Sequence, residues 1–335
     1  MKALSISSPP NLDSLELIEQ DQPAPLPGQV GVRIRSIGLN RGDLLFCQNR
    51  YFIKPNPGSR LGFEAAGIVD ALPADGKSNF KLGDKVALCP MSFDVHSQGT
   101  LAEYGAYNEA SLIPSPDSVP DEHCGAIWMA YFTAWGGLIE AGGLKPGENV
   151  VITAASSSVG IAATQIANMI GANPIATTTS QEKAEILSQL GAPHVIVQDR
   201  DDEANLKYAE EVMSITQGKG SDLVFDAVAG PGTHGLVKAS TRGGRIVIQG
   251  MLDRRPMDIH AGVLMKRLLT LKGYTVDQTL EQEQQKQRAI TAIRRGFSEG
   301  HLQAVIAQSF SLSDYQSAFS TLSLNKHIGK IIITP

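Results

Sequence analysis

Residues 150–160 read Val-Val-Ile-Thr-Ala-Ala-Ser-Ser-Ser-Val-Gly, and no other stretch constrains the fold as strongly. A short apolar run, 150–153, meets a turn of alanine and serine. A helical pattern follows over 159–170. The unit then repeats. Strand-like runs at 174–178, 194–197, 223–227 and 245–249 alternate with helix-like segments at 181–190, 202–216 and 232–240. A sixth strand is expected at 268–274. Short apolar runs suit strands buried on both faces. Their regular alternation with helices predicts an α/β fold with a Rossmann-type doubly wound parallel sheet.

A sheet of this kind binds a dinucleotide where the first strand turns into its helix. The usual fingerprint is G-x-G-x-x-G. Here Ala155, Ser157 and Gly160 hold the three positions, so two glycines are replaced by small residues. The helix start still offers free N–H groups and positive dipole character to a phosphate. On the turn alone, an ordinary capped helix explains the pattern equally well; the alternating units around it favour a nucleotide. Ser156, Ser157, Ser158, Val159 and Gly160 are therefore candidate cofactor contacts. The second strand end distinguishes the cofactors, because an acid there binds the ribose hydroxyls of NAD. This chain has Thr177-Thr178-Thr179-Ser180-Gln181-Glu182-Lys183. No acid stands at the strand end to repel a 2′-phosphate. Thr179 and Ser180 can donate to one and Lys183 can supply charge, so NADPH is expected. Alternatively, Ser180 caps the next helix and Lys183 is solvated. Gln198, at the third strand end, and Val228, Ala229, Gly250 and Met251, after later strand ends, complete the expected cofactor contacts, because ligands bind at the carboxyl ends of parallel strands.

The first 120 residues or so carry a different rhythm, of short β-like runs punctuated by Gly and Pro. Pro114, Pro116 and Pro120 mark a boundary. Beyond the sheet pattern come a long polar helix near 280–297, a shorter one near 312–322 and a strand at 328–334. These last elements do not extend the sheet and are expected to return to the first domain. The chain has 335 residues and a net charge of −5, with no strong basic field to attract nucleic acid. Its three cysteines make neither a disulfide framework nor a four-cysteine zinc site. The charge-free run 125–139 is too short to cross a membrane. The run 149–181 is broken by polar residues and Pro174. The start of the chain has no signal-type apolar core. A cytoplasmic location without membrane or nucleic-acid partners is the expectation.

Several motifs in order resemble the medium-chain dehydrogenase/reductase superfamily, and within it the zinc-free, NADPH-dependent quinone oxidoreductase branch. They are Gly38-Leu39-Asn40-Arg41-Gly42-Asp43, Tyr51, Gly62-Phe63-Glu64-Ala65-Ala66-Gly67 and Leu82-Gly83-Asp84-Lys85-Val86. Thr133-Ala134, Leu144-Lys145-Pro146-Gly147-Glu148, the 154–160 turn, Phe225-Asp226-Ala227-Val228 and Gly329-Lys330-Ile331 complete the set. The resemblance implies a discontinuous GroES-like β-barrel catalytic domain wrapped around the nucleotide domain. The expected boundaries are 1–123 for its N-terminal part, 124–264 for the Rossmann domain and 265–335 for the return segment, which opens with the last sheet strand. A homodimer formed by the nucleotide domains is implied as well.

The resemblance also bears on chemistry. Zinc members carry a cysteine near Asn40 and a histidine where Phe63 stands, and a phenyl ring cannot ligate metal. Catalytic zinc needs three protein ligands, so no metal is expected. Without a metal, hydride transfer to quinones or α,β-unsaturated carbonyl compounds is the simplest reaction, because conjugation spreads the developing charge. Asn40 and Tyr51 match residues beside the nicotinamide and are the polar catalytic candidates; Tyr51 reads equally as a half-buried packing aromatic. Thr133 matches the threonine that abuts the nicotinamide, and Asn40, Thr133 and Lys330 count among the cofactor contacts. Trp128, Tyr131 and Phe132 are either pocket walls or interior packing. Relatives carry a stacking tyrosine where Gln198 stands. The rival readings are a zinc-type alcohol dehydrogenase and an NADPH-binding protein without turnover.

Overall fold

The computed structural model describes residues 1–8, 10–198 and 204–335, with only the backbone of 204–207. The start of the helix expected at 202–216 lies outside these residues; its described part is Ala204–Ile215. The chain forms two compact units, Met1–Met129 with Gln303–Pro335, and Ala130–Leu302.

The first unit is built on β1 (Lys2–Ile6), β2 (Leu15–Glu19), β3 (Gln29–Leu39), β4 (Ser59–Arg60), β5 (Ala65–Ala71), β6 (Lys85–Leu88), β7 (Tyr104–Asn108) and β8 (Leu112–Pro114). The second holds β9 (Asn149–Ile152), β10 (Asn173–Thr178), β11 (His194–Val197), β12 (Ser221–Asp226), β13 (Ser240–Ile248) and β14 (Thr270–Gly273). The chain then returns to the first unit with β15 (Ile306–Ser311) and β16 (Lys330–Thr334).

In the second unit the strands lie in the order β11-β10-β9-β12-β13-β14, and all pairs are parallel. The order reverses at β9, the strand that precedes the serine turn, so the turn sits at the sheet's switch point. Val151, Ile175, Ile196, Val224 and Ile246 stack across the sheet as one buried layer. The short apolar runs of the sequence are these inner strands.

In the first unit β3 is the organising strand. Its eleven residues pair with β16 at one end, with β7 at the other and with β5 along most of its length. A seven-stranded sheet runs β15-β16-β3-β5-β6-β8, with β7 attached to β3, and a smaller one runs β2-β1-β4. The mixed sheet agrees with a GroES-like domain completed by the C-terminal strands.

Two boundaries differ from expectation. The helix Trp128–Trp135 runs through the junction between the units, so the division falls after Met129. The long polar helix, Glu283–Ser298, stays in the second unit and does not return to the first. Its apolar residues explain this. Ala289, Ile293 and Phe297 recur every four residues and form one buried stripe. Phe297 packs edge-on against Tyr131, with ring centroids 4.9 Å apart. A helix the sequence did not announce, Ala261–Arg267, precedes β14 and contains no buried residue. Among the described residues, no helix is long and apolar enough to cross a membrane.

The stripe makes a quantitative demand. Ile293→Ala should destabilise the protein by about 2–5 kcal/mol in urea denaturation. A loss below about 0.5 kcal/mol, as for a surface position, would mean the helix is not docked.

Candidate functional site

The turn after β9 works without the first two glycines. Ala154 adopts the left-handed conformation, with φ +49°, and Ala155 is buried and donates its N–H to Thr177 O at 3.0 Å. Ser157 then caps the helix Ser158–Met169. Its backbone is extended and its Oγ accepts the Gly160 N–H at 3.1 Å. The Ser157 hydroxyl thus has a capping role that the phosphate reading had not assigned. Gly160 is the indispensable glycine: a Cβ there would lie 2.5 Å from Ala155 Cα and 2.7 Å from Ala154 O. Ser156, Ser157, Ser158 and Val159 are all partly exposed around the helix N-terminus, where first-turn N–H groups have no intrahelical partner.

At the end of β10, Thr179 is exposed and Ser180 caps the helix Gln181–Gln189, its Oγ accepting Lys183 N–H at 3.4 Å. Lys183 is half-buried. Burial pulls its ammonium below the ordinary lysine range, opposed by the charge of Glu182. Gln198 extends the β10–β11 ladder, its N–H bonded to Thr178 O at 2.7 Å.

The loop after β12 is held by a carboxyl group that sequence reasoning had not placed in the site. Asp226 is fully buried. Its Oδ1 accepts from Thr153 Oγ1 at 2.7 Å and Val228 N–H at 2.9 Å, and its Oδ2 accepts Ala229 N–H at 3.1 Å. Thr153 Oγ1 in turn accepts the Ala227 N–H at 2.8 Å. Burial pushes the Asp226 carboxyl up, and these hydrogen bonds oppose it. The available signal was an acid ending the apolar run Leu223-Val224-Phe225. The loop after β13 bonds to this one, through Leu252 N–H to Ala227 O and Asp253 N–H to Val228 O. Val228, Ala229, Gly250 and Met251 are thereby brought together at adjacent strand ends. Thr133 lies on the helix Trp128–Trp135 and is nearly buried. Trp128, Tyr131 and Phe132 are buried, and Tyr131 Oη donates to Gln165 Oε1 at 2.7 Å. These aromatics belong to the interior.

Asn40, Tyr51 and Lys330 lie in the first unit, around Glu64. Lys330 Nζ donates to Glu64 Oε2 at 2.7 Å and to Asn40 Oδ1 at 2.6 Å. Asn40 Nδ2 donates to Gly38 O at 3.0 Å and to Glu64 Oε2 at 3.1 Å. Glu64 Oε1 accepts the Met129 N–H at 2.8 Å. Lys330 is 2% exposed, and its ammonium is held by an internal ion pair. Both amide protons of Asn40 are directed at protein acceptors. Tyr51 is half-buried, with its ring against Phe63 at 5.3 Å.

Beneath this network lies Asp43. Its Oδ2 accepts the Asn40 N–H at 2.7 Å, and its buried Oδ1 has no hydrogen-bond partner. Burial raises its carboxyl from the ordinary 3.8 to about 7. The Asn40 N–H bond and the Lys330 charge oppose this, and the Glu64 charge adds to it. The folded state therefore binds more protons than the unfolded chain between pH 4 and 7, and stability falls as pH rises through that window. A displacement of this size is worth on the order of 4 kcal/mol. Asp43→Asn should flatten the stability profile between pH 4 and 7 in urea melts. An unchanged slope would assign the pH dependence to another group.

Comparison with known proteins adds to this geometry. Residues 158–294 match the family described as zinc-binding dehydrogenase, and residues 26–117 match the alcohol dehydrogenase GroES-like domain. A phenolphthiocerol/phthiocerol polyketide synthase of Mycobacterium tuberculosis is 32% identical over 99% of this chain, which spans only 15% of that synthase. The quinone oxidoreductase of Sus scrofa is 28% identical, covering 93% of this chain and 90% of its own. Among solved structures, an NAD-dependent alcohol dehydrogenase superposes with a TM-score of 0.88 at 27% identity, covering all of both chains. A quinone oxidoreductase of Pseudomonas syringae pv. Tomato DC3000 gives 0.84 at 29%, covering 100% of this chain and 99% of the other.

Proposed function

Because this chain belongs to the medium-chain dehydrogenase/reductase superfamily, in its quinone oxidoreductase branch, we propose that it is an NADPH-dependent reductase of quinones or α,β-unsaturated carbonyl compounds that works without a metal. The observation that carries the reading is the group around Glu64. A catalytic zinc needs three protein ligands at about 2 Å. Here Phe63 offers none and the Asn40 amide is engaged. Glu64 already faces an ammonium at 2.7 Å, where a divalent cation would meet like charge. That donor set does not fit zinc.

The second unit fits a dinucleotide. The turn leaves first-turn amides and serine hydroxyls beside the helix N-terminus, and the packing at Gly160 supplies the close helix–strand approach such a turn needs. In this reading Ser156, Ser157, Ser158, Val159 and Gly160 hold the pyrophosphate. Thr179, Ser180 and Lys183 take the 2′-phosphate, and Gln198 lies by the adenine. Val228 and Ala229 meet the ribose, and Gly250, Met251 and Thr133 meet the nicotinamide. NADPH, when bound, supplies the hydride. Reduction adds that hydride and one proton to the acceptor, giving NADP⁺ and the hydroquinone or saturated carbonyl. Tyr51 is the residue assigned to hydrogen-bond the developing oxyanion or deliver the proton.

The test is NADPH oxidation with a panel of quinones, enones and alkenals, run beside NADH. Turnover with NADPH and a conjugated acceptor, in protein free of zinc by mass spectrometry, is expected. Failure to bind NADPH, or to oxidise it with any acceptor, sinks the reading. Lys183→Glu should weaken NADPH roughly 10- to 100-fold, the size of one charge-assisted hydrogen bond, and leave NADH within about twofold. Equal losses for both cofactors would remove Lys183 from the 2′-phosphate.

The same reading makes the protein a cytoplasmic homodimer. Its three cysteines are buried free thiols. β14 is the last strand of its sheet, beside exposed Met265 on the preceding helix and exposed Leu268 at that helix's end. A second copy seated on this edge would cover them. Light scattering should give the dimer mass, and Leu268→Asp the monomer mass. A monomeric wild type at micromolar concentration would count against the dimer.

A further inference from the structure

The helix that carries Thr133 does not end as an α-helix. After Trp135 it continues as a π-helical turn, Gly136–Ala141. Such turns are rare and persist where something holds them open. Two side chains hold this one. A Cβ on Gly136 would lie 1.9 Å from Tyr274 Oη, and one on Gly137 would lie 2.2 Å from Phe225 Cε2. The two glycines let a hydroxyl and a ring press directly onto the backbone of the widened turn. Phe225 precedes Asp226, the residue that holds the Val228–Ala229 loop. Tyr274 follows β14 and is almost fully buried. Its hydroxyl lies 2.9 Å from Thr279 Oγ1 and 3.5 Å from Phe132 O, the carbonyl just before Thr133.

A buried ring alone would fill this space as phenylalanine. A hydroxyl there costs free energy unless it is bonded, and this one reaches both Thr279 and the helix backbone. We infer that Tyr274 is a positioning residue: its hydroxyl and the Gly136–Gly137 turn set the depth at which Thr133 is presented to the nicotinamide. The inference rests on the reading that Thr133 meets the nicotinamide. The widened turn is then a mount, clamped on one side by the strand of the ribose loop and on the other by Tyr274. Burial raises the Tyr274 hydroxyl above its usual range, which keeps its proton in place.

The test reads the nicotinamide directly, through the fluorescence of NADPH bound to the full-length protein. Thr133→Val should change the emission of the bound cofactor. Tyr274→Phe should change it in the same direction, with the NADPH Kd within about twofold of wild type. The double variant should match Thr133→Val, because both act at one place. Where an acceptor turns over, Tyr274→Phe should slow single-turnover hydride transfer roughly tenfold, as a small misplacement does. Wild-type emission from Tyr274→Phe beside an altered Thr133→Val, or effects that add in the double variant, would overturn the inference. Unchanged emission from Thr133→Val with NADPH still bound would instead remove the reading beneath it, and the inference with it. If Tyr274→Phe does not fold, Thr279→Val loosens the same hydroxyl and must show the same direction of change.

Discussion

A carboxylate survives in an apolar interior only when every part of its charge is met, and the first unit is arranged around meeting that of Glu64. An ammonium from β16, an amide from the end of β3 and the Met129 N–H at the start of a helix converge on it. Each donor comes from a different segment, so one buried group fixes three chain directions. Breaking such a pair from one side typically costs about 3–5 kcal/mol, because the remaining charge stays buried. Asn40 sits where the strongest of these bonds cross. Its side chain is a strut between the cation and the anion, and nearby the Tyr51 ring packs against Phe63.

The second unit uses the same device in a quieter form. Asp226 is as buried as Glu64 and is satisfied by hydroxyl and amide donors from residues close to it in space. No cation is involved, so the loop it organises keeps its backbone shape without importing charge. The helix N-terminus after the serine turn and Lys183 lie on other elements of the same unit.

Much of this was legible in the residues, and the exceptions have physical causes. The inner strands announce themselves because short runs such as Val150-Val151-Ile152 admit no amphipathic alternative. Gly160 is readable because only a glycine permits the contact it makes. Ala154 is not, since an alanine in the left-handed region carries no mark of it. The helix Glu283–Ser298 reads as solvent-facing because glutamine and arginine dominate it, and its three-residue stripe is too narrow to say which unit it joins. The Lys330–Glu64 pair has no local signature at all, because its two residues stand 266 positions apart. For the π-turn the Gly136-Gly137 pair was the one available clue.

The distance along the chain between Glu64 and Lys330, 266 residues, has a consequence for biogenesis. A ribosome adding roughly 5–20 residues per second makes Glu64 about 13–50 s before its counter-cation. During that time the whole nucleotide-binding sheet is synthesised. The six strands of the second unit's sheet pair with one another and can complete first, while the N-terminal strands wait with a carboxylate that water must still solvate. β16 is therefore the closing stitch of the first unit. For nascent chains, the pairing that buries the Glu64 charge waits until β16 has been made.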